Sequence, residues 1–438
     1  MKRSIRKFLV LCILAAGICL LGGCQFNDSV EDLLTLPQLP LEYEELSQQI
    51  NDLITQGYEY ASPTNGRNIQ SVQMLDLNGD GSDESVAFFR KTSDEKPLKI
   101  VVFHREEDTY QPLCTLESSG SEVESVTYAD LTGDGIKEMI VGWKISADVQ
   151  TVAAYEIRPQ PKTLMRSNYV KFTVQTLDES DAAELIVLRS DEEGKSVAEL
   201  YREKADALSV CSSCTLSSTM ADLNRGSITT GRLDDKITAL YITGVNDQAM
   251  AVTDILAYRQ GALANVAENR HTGTSGVVYP YRQLVPQDID GDGTIEIPIY
   301  RKNPADNPPD GLISWQRYDA DGQATWCMDT YHCLSADWYL TLPNDWHERV
   351  SVIAVENGSA ESQVTLRVDG DAVVALYAIT GENRENRAKR GNRMILKRQT
   401  AEIYAGELMP VSEVYGADEE FLRNNFHLIL GNWITTEN

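Results

Sequence analysis

Residues that do chemistry are scarce in this chain. Among 438 residues there are only five histidines, His104, His271, His332, His347 and His427. None stands in a His-Glu-x-x-His, Gly-x-Ser-x-Gly or phosphate-loop setting, and scattered single histidines are more often structural than catalytic. No nucleophile, base and orienting group can be assembled from them, so the composition argues against an enzyme. Cysteine is nearly as sparse. Beyond residue 24 there are Cys114, Cys211, Cys214, Cys327 and Cys333, an odd number spread too thinly for a disulfide framework. Cys211 and Cys214 have redox-motif spacing, but no βαβ pattern surrounds them, which leaves a local disulfide or two thiols. Positive charge is also short: 39 Lys and Arg face 66 Asp and Glu, for a formal net charge of −27. Such a balance repels nucleic acid and anionic headgroups.

Long apolar runs are missing too. The best, residues 8–21, is about 14 residues, below the roughly 20 that a spanning helix needs. It follows Lys2, Arg3, Arg6 and Lys7, so residues 1–23 read as an export signal with a positive n-region. The run ends in Leu21-Gly22-Gly23-Cys24, which resembles the lipobox of bacterial lipoproteins. That resemblance implies cleavage before Cys24, lipidation of its thiol and anchorage on the extracellular face of the cell membrane, where two acyl chains suffice for lasting attachment. Residues 24–40 are a polar tether containing Pro37 and Pro40. Residues 41–65 are a helix and its lead-in: Tyr43, Leu46, Ile50, Leu53 and Ile54 share one helical face, and Gly57 stands where a C-cap belongs.

What the chain does have is a repeat. Asp76-Leu77-Asn78-Gly79-Asp80-Gly81-Ser82-Asp83-Glu84 precedes a strand-like run over 85–89. The pattern returns as Asp130-Leu131-Thr132-Gly133-Asp134-Gly135-Ile136-Lys137-Glu138 and as Asp288-Ile289-Asp290-Gly291-Asp292-Gly293-Thr294-Ile295-Glu296, each again before an apolar run. Degraded copies begin at Thr176 and Thr230. Each loop is followed by a second β-rich run with an aromatic: Phe103, Tyr155, Tyr201, Tyr258 and Trp315 in turn. A period of roughly 50 residues with several strands per unit predicts a mainly β fold, a five-bladed β-propeller over 66–330. An open stack of β modules is the alternative, and it needs end caps that the sequence does not supply.

Oxygen ligands at positions 1, 3, 5 and 9, with glycine at 6, can converge on one hard cation. An EF-hand is excluded, because its bidentate Glu at position 12 is replaced by Ala87, Val141 and Ile299 and the flanks have strand character. The loops resemble the FG-GAP or VCBS repeats of integrin-type propellers, in which such a loop joins two strands of a blade and holds calcium. The resemblance implies structural Ca2+ at three sites: Asp76, Asn78, Asp80 and Glu84; Asp130, Thr132, Asp134 and Glu138; and Asp288, Asp290, Asp292 and Glu296. Loop five, with four carboxylates, is expected to bind most tightly. Loop two is expected to bind most weakly, since Thr132 offers only a hydroxyl. In loop three Thr176 and Ser180 replace two acids and no metal is expected. In loop four Arg232 takes a ligand position beside Asp234, either supplying the missing positive charge or simply exposed.

Beyond the fifth loop, Asp321-Gly322 marks the turn of a hairpin. Residues 331–438 read as a small α+β domain, similar to one that closes other lipoproteins of Gram-positive bacteria. Its Arg384, Arg387, Lys389, Arg390, Arg393, Lys397 and Arg398 are the one basic cluster, a solvated face or a contact for an anionic partner. The expected function is a surface binding or scaffolding module for an extracellular protein or glycan. Alternatives are a surface hydrolase or lyase acting on a glycan, and an accessory subunit of a membrane complex.

Overall fold

In the computed structural model, residues 44–106, 109–178, 180, 182–281, 283–301, 310–356 and 360–429 are described. The leader, Cys24 and the tether over 24–40 lie outside the described residues.

The expected helix spans Glu44–Thr55, with Leu46 and Ile50 buried. Its end is where the glycine predicted it: Gln56 N–H donates to the Asp52 carbonyl, and Gly57 takes φ +89°, a left-handed value that only glycine adopts without strain.

The rest of the chain is mainly β, in several antiparallel sheets. Each of the five repeats carries one. In the first four, the loop joins two neighbouring antiparallel strands. Val72–Leu75 leads through loop one to Glu84–Arg90, Glu122–Ala129 through loop two to Glu138–Lys144, Lys171–Gln175 through loop three to Glu184–Ser190, and Ser227–Arg232 through loop four to Thr238–Val245. The next strand, bearing the repeat's aromatic, pairs on the other side: Leu98–Glu106, Gln150–Glu156, Ser196–Glu203 and Met250–Arg259.

The strands after the loops are apolar on both faces because each is covered on both sides. Side chains alternate between faces, so one strand serves two neighbours. Met139 and Val141 pack with Val86 and Phe88 of the first sheet, while Ile140 packs with Leu185 and Val187 of the third. Ile186 and Leu188 meet Leu240 and Ile242 of the fourth, and Ala239 and Tyr241 meet Ile295 and Ile297 of the fifth repeat. Among the described residues, apolar clusters join each sheet to the next and none joins the first to the fifth.

The fifth sheet departs from the others. No full strand precedes its loop; a single bridge between Gln287 and Glu296 stands there instead. Its strands run Ile297–Tyr300, Gly311–Tyr318, Ala324–Cys333, Trp338–Thr341 and Phe426–Leu428. The predicted hairpin is present, with the Asp319 carboxylate accepting N–H bonds from Asp321 and Gln323 at its turn. The boundary expected at residue 330 is not: it falls inside a strand, and two strands from beyond it complete the sheet. Aromatic side chains bind these strands together, His332 stacking on Tyr339 at 4.9 Å and Tyr339 on His427 at 4.8 Å.

Between Trp338–Thr341 and Phe426–Leu428 lies the tail's own five-stranded sheet, Val350–Glu356, Glu361–Val368, Asp371–Thr380, Glu402–Leu408 and Met394–Arg398. Val352, Leu366 and Leu376 pack against Tyr331, Trp338 and Leu340 of sheet five. The helix Glu419–Asn425 returns the chain, its N-terminus capped by the Asp418 carboxylate accepting from Phe421 N–H at 2.7 Å. Among the described residues no helix is long and apolar enough to cross a membrane. Cys114, Cys211, Cys214, Cys327 and Cys333 are all free thiols, so Cys211 and Cys214 do not form the local bridge.

Candidate metal centres in the repeat loops

The intact loops share one backbone scheme. The position-one carboxylate accepts the N–H groups of positions 4 and 6: Asp76 from Gly79 and Gly81 at 2.7 and 2.9 Å, Asp130 from Gly133 and Gly135 at 2.6 and 2.8 Å, and Asp288 from Gly291 and Gly293 at 2.7 Å each. Both glycines take positive φ in every copy, for example 80° and 87° in loop two. Side chains other than glycine are strained there, which is why the spacing repeats.

Position 9 closes each loop from below. Its glutamate accepts the N–H of position 2: Leu77 to Glu84 at 2.8 Å, Leu131 to Glu138 at 2.7 Å, Leu177 to Glu184 at 2.9 Å and Ile289 to Glu296 at 3.0 Å. All four glutamates are buried. Burial pushes the Glu138 carboxyl up to about 7, with Asp134 and Asp130 adding repulsion. Neighbouring loops also touch. Lys137 N–H donates to the Leu77 carbonyl and Ala183 N–H to that of Asp130, both at 2.8 Å, while Ile295 N–H donates to Arg232 at 3.0 Å.

Among the described residues, only loop five brings three of its sequence-derived acids within 4.8 Å of one another; those of loops one and two do not gather so closely. In loop one the Asn78 amide nitrogen lies 3.1 Å from both Asp80 and Glu84, bridging the two carboxylates from the position of a cation. In loop two the Thr132 hydroxyl oxygen is buried and makes no hydrogen bond. Among the described residues no basic side chain pairs with Asp76, Asp80, Glu84, Asp130, Asp134 or Glu138. The acids of loops one and two, buried Glu84 and Glu138 among them, thus have no counter-charge among the described residues.

Loop five is different. Asp288, Asp290 and Glu296 offer ligand atoms within 4.8 Å of one another. Yet the Arg317 guanidinium lies among them, Nε on Glu296 at 2.5 Å and Nη2 on Asp290 and Asp292 at 2.7 and 2.8 Å. Arg202 does the same in loop three, pairing Asp178 at 2.6 Å and also Glu184. In loop four the exposed alternative holds: Asp234 is satisfied by Lys236 and Ile237 N–H groups at 2.9 Å each, and exposed Arg232 donates to the Asp292 carbonyl of loop five.

No protein-family model matches the chain, and no curated protein is similar to it. The likeness to calcium-loop repeats accordingly rests on the loops alone.

Sequence reasoning missed Arg202 and Arg317, because each reaches its loop from the neighbouring strand. It also missed His347. The imidazole Nδ1 lies 2.8 Å from the buried Asp329 carboxylate, which also accepts from Arg301, Ser314 and Trp326, and the ring lies tilted by 37° against Trp326 at 4.2 Å. The basic cluster of the tail spends its charge locally: Arg387 and Arg393 pair with Glu361, and Lys389 and Arg398 with Glu385.

Proposed function

We propose that this protein is an extracellular lipoprotein, held to the membrane through Cys24, whose repeats close into a calcium-stabilised β-propeller that serves as a binding or scaffolding module. The observation that carries the reading is the shared loop geometry, in which carboxylates at positions 1, 5 and 9, with Asn78, Thr132 or Asp290 at position 3, stand about paired glycine turns in the three intact repeats. Calcium here is structural, since it holds neighbouring loops in register and no group beside it is poised to react. Extracellular calcium modules bind with dissociation constants of about 10⁻⁴ to 10⁻³ M, so saturation outside a cell needs no high affinity.

Melting the protein with and without chelator tests this. At calcium ten times above the dissociation constant, each site adds about 1.4 kcal/mol, so chelation lowers the melting temperature. Magnesium substitutes poorly, because it demands a smaller octahedral shell. Identical melting with calcium and with chelator, and no bound calcium by calorimetry, would remove the metal from the proposal. Intact-mass analysis of Cys24→Ala tests the anchor, and a glycan array with a surface-extract pull-down tests the binding role.

A surface hydrolase or lyase acting on a glycan is the second reading. One observation favours it: Asp329 orients His347 as a buried acid orients a general base, beside the stacking face of Trp326. A pH-dependent glycan cleavage lost in His347→Gln would promote it.

A further inference from the structure

Five loops of one repeat meet their negative charge in different ways, and the difference traces to a single position. In sheet three Leu185 pairs with Tyr201, so the next step out of the ladder sets Glu184 across from Arg202. In the fifth, Ile297 pairs with Gln316, which sets Glu296 across from Arg317. The same step in sheet one sets Glu84 across from His104, and in sheet two Glu138 across from Glu156. The residue facing position 9 is thus arginine in repeats three and five and never arginine in repeats one and two.

We infer that this cross-strand residue decides whether a loop takes a divalent cation or an internal guanidinium, so that the chain binds calcium at loops one and two and not at loop five. The guanidinium is planar, permanently charged and offers several donors, and in loop five it serves three carboxylates at once. A calcium ion entering there must displace Arg317 from Glu296, whose side chain is fully buried, and leave two like charges together. Loops one and two pose no such competition. Across the ladder His104 faces loop one and Glu156 faces loop two; Glu156 pairs with Arg158 at 3.4 Å and Lys162 at 3.9 Å, and Lys137, which reaches loop one, donates to the Asp76 main-chain carbonyl at 3.0 Å. Arg202 fits the same logic with a different history: its loop has lost the acids at positions 1 and 5, so the arginine neutralises what remains, and it packs over the Tyr258 ring at 4.3 Å.

The inference rests on the calcium reading above and reverses the ranking expected from ligand count, where four carboxylates put loop five first. It is a statement about specificity. Two loops that share their residues at positions 1, 4, 5, 6 and 9 accept different cations because of a residue some twenty positions away, on the next strand.

Native mass spectrometry of the full chain, desalted and then titrated with calcium, counts the ions directly. The parent is expected to hold two, Arg317→Met three, and Glu156→Arg one, since the last brings a guanidinium to Glu138. Arg202→Met is expected to stay at two, its loop lacking the acids to hold an ion. Three ions in the parent, or two in Arg317→Met, would overturn the inference and leave calcium binding intact. No ion in the parent with one in Arg317→Met would overturn calcium at loops one and two and keep the role of the arginine. No ion in either overturns both. If Arg317→Met does not fold, Glu156→Arg and His104→Arg carry the test alone, and two ions in each sinks the inference.

Discussion

Loops two and five differ at few positions, and the acid that closes each is equally buried. In loop five that acid lies on Arg317, whose single charge is shared among Glu296, Asp290 and Asp292. In loop two Glu138 has no basic partner among the described residues, its carboxyl stands well above the usual range, and the Thr132 hydroxyl is left without a hydrogen bond. Counting acidic ligands therefore measures how much charge must be met and says nothing about what meets it. The partner is chosen by strand register.

The fifth repeat also holds the largest test of how buried ionisable groups are managed. Where Glu296 is paired, His332 in the same sheet is fully buried and kept neutral, its pKa lowered from 6.5 to about 3. An unfolded chain binds the proton below about 6.5 and the folded one only near 3, so stability is intact above pH 6.5 and falls as pH drops through that window. The loss reaches up to about 5 kcal/mol at roughly 1.4 kcal/mol per pH unit. Urea denaturation from pH 7 to pH 4 is expected to show a shallower slope in His332→Phe; an unchanged slope would mean the ring protonates in place.

Breaking the pair comes next. In chelator, Arg317→Ala leaves Glu296 buried without a counter-charge and is expected to cost about 2 to 3 kcal/mol, below the roughly 3 to 5 kcal/mol of a fully buried pair because the arginine is partly exposed. Glu156→Ala, the matching change at loop two, shifts stability by less than about 0.5 kcal/mol. Equal losses in the two variants, measured by denaturant midpoint, would erase the contrast between the loops.

Arg232→Ala gives the smallest effect, within about 0.5 kcal/mol, because Arg232 is exposed and reaches only a backbone carbonyl of loop five. A larger loss would show that the contact between loops four and five carries more of the array than its exposure implies.

The loops were legible because their constraint is local: two left-handed positions in a short turn demand glycine, and an acid must follow at fixed distance. The strands after them were legible for the same reason, as short apolar runs with clear ends. Arg202 and Arg317 were not, since the register that sets them across from Glu184 and Glu296 is made between two strands and is written in neither strand alone. The signal was nonetheless in reach, one or two residues past the aromatic in repeats one, two, three and five: His104, Glu156, Arg202 and Arg317. The fifth sheet's last two strands left no local mark, because Trp338–Thr341 and Phe426–Leu428 pair only across the whole intervening tail.

That pairing gives the tail an unusual attachment. Its five-stranded sheet is an insertion whose entry and exit are hydrogen-bonded side by side, Tyr339 opposite His427. A linker-borne domain leaves the parent when its linker is cut. Here a protease nicking any single loop between residues 342 and 425 leaves one fragment clamped by Trp338–Thr341 and the other by Phe426–Leu428, so the severed pieces stay together until the fifth sheet itself opens.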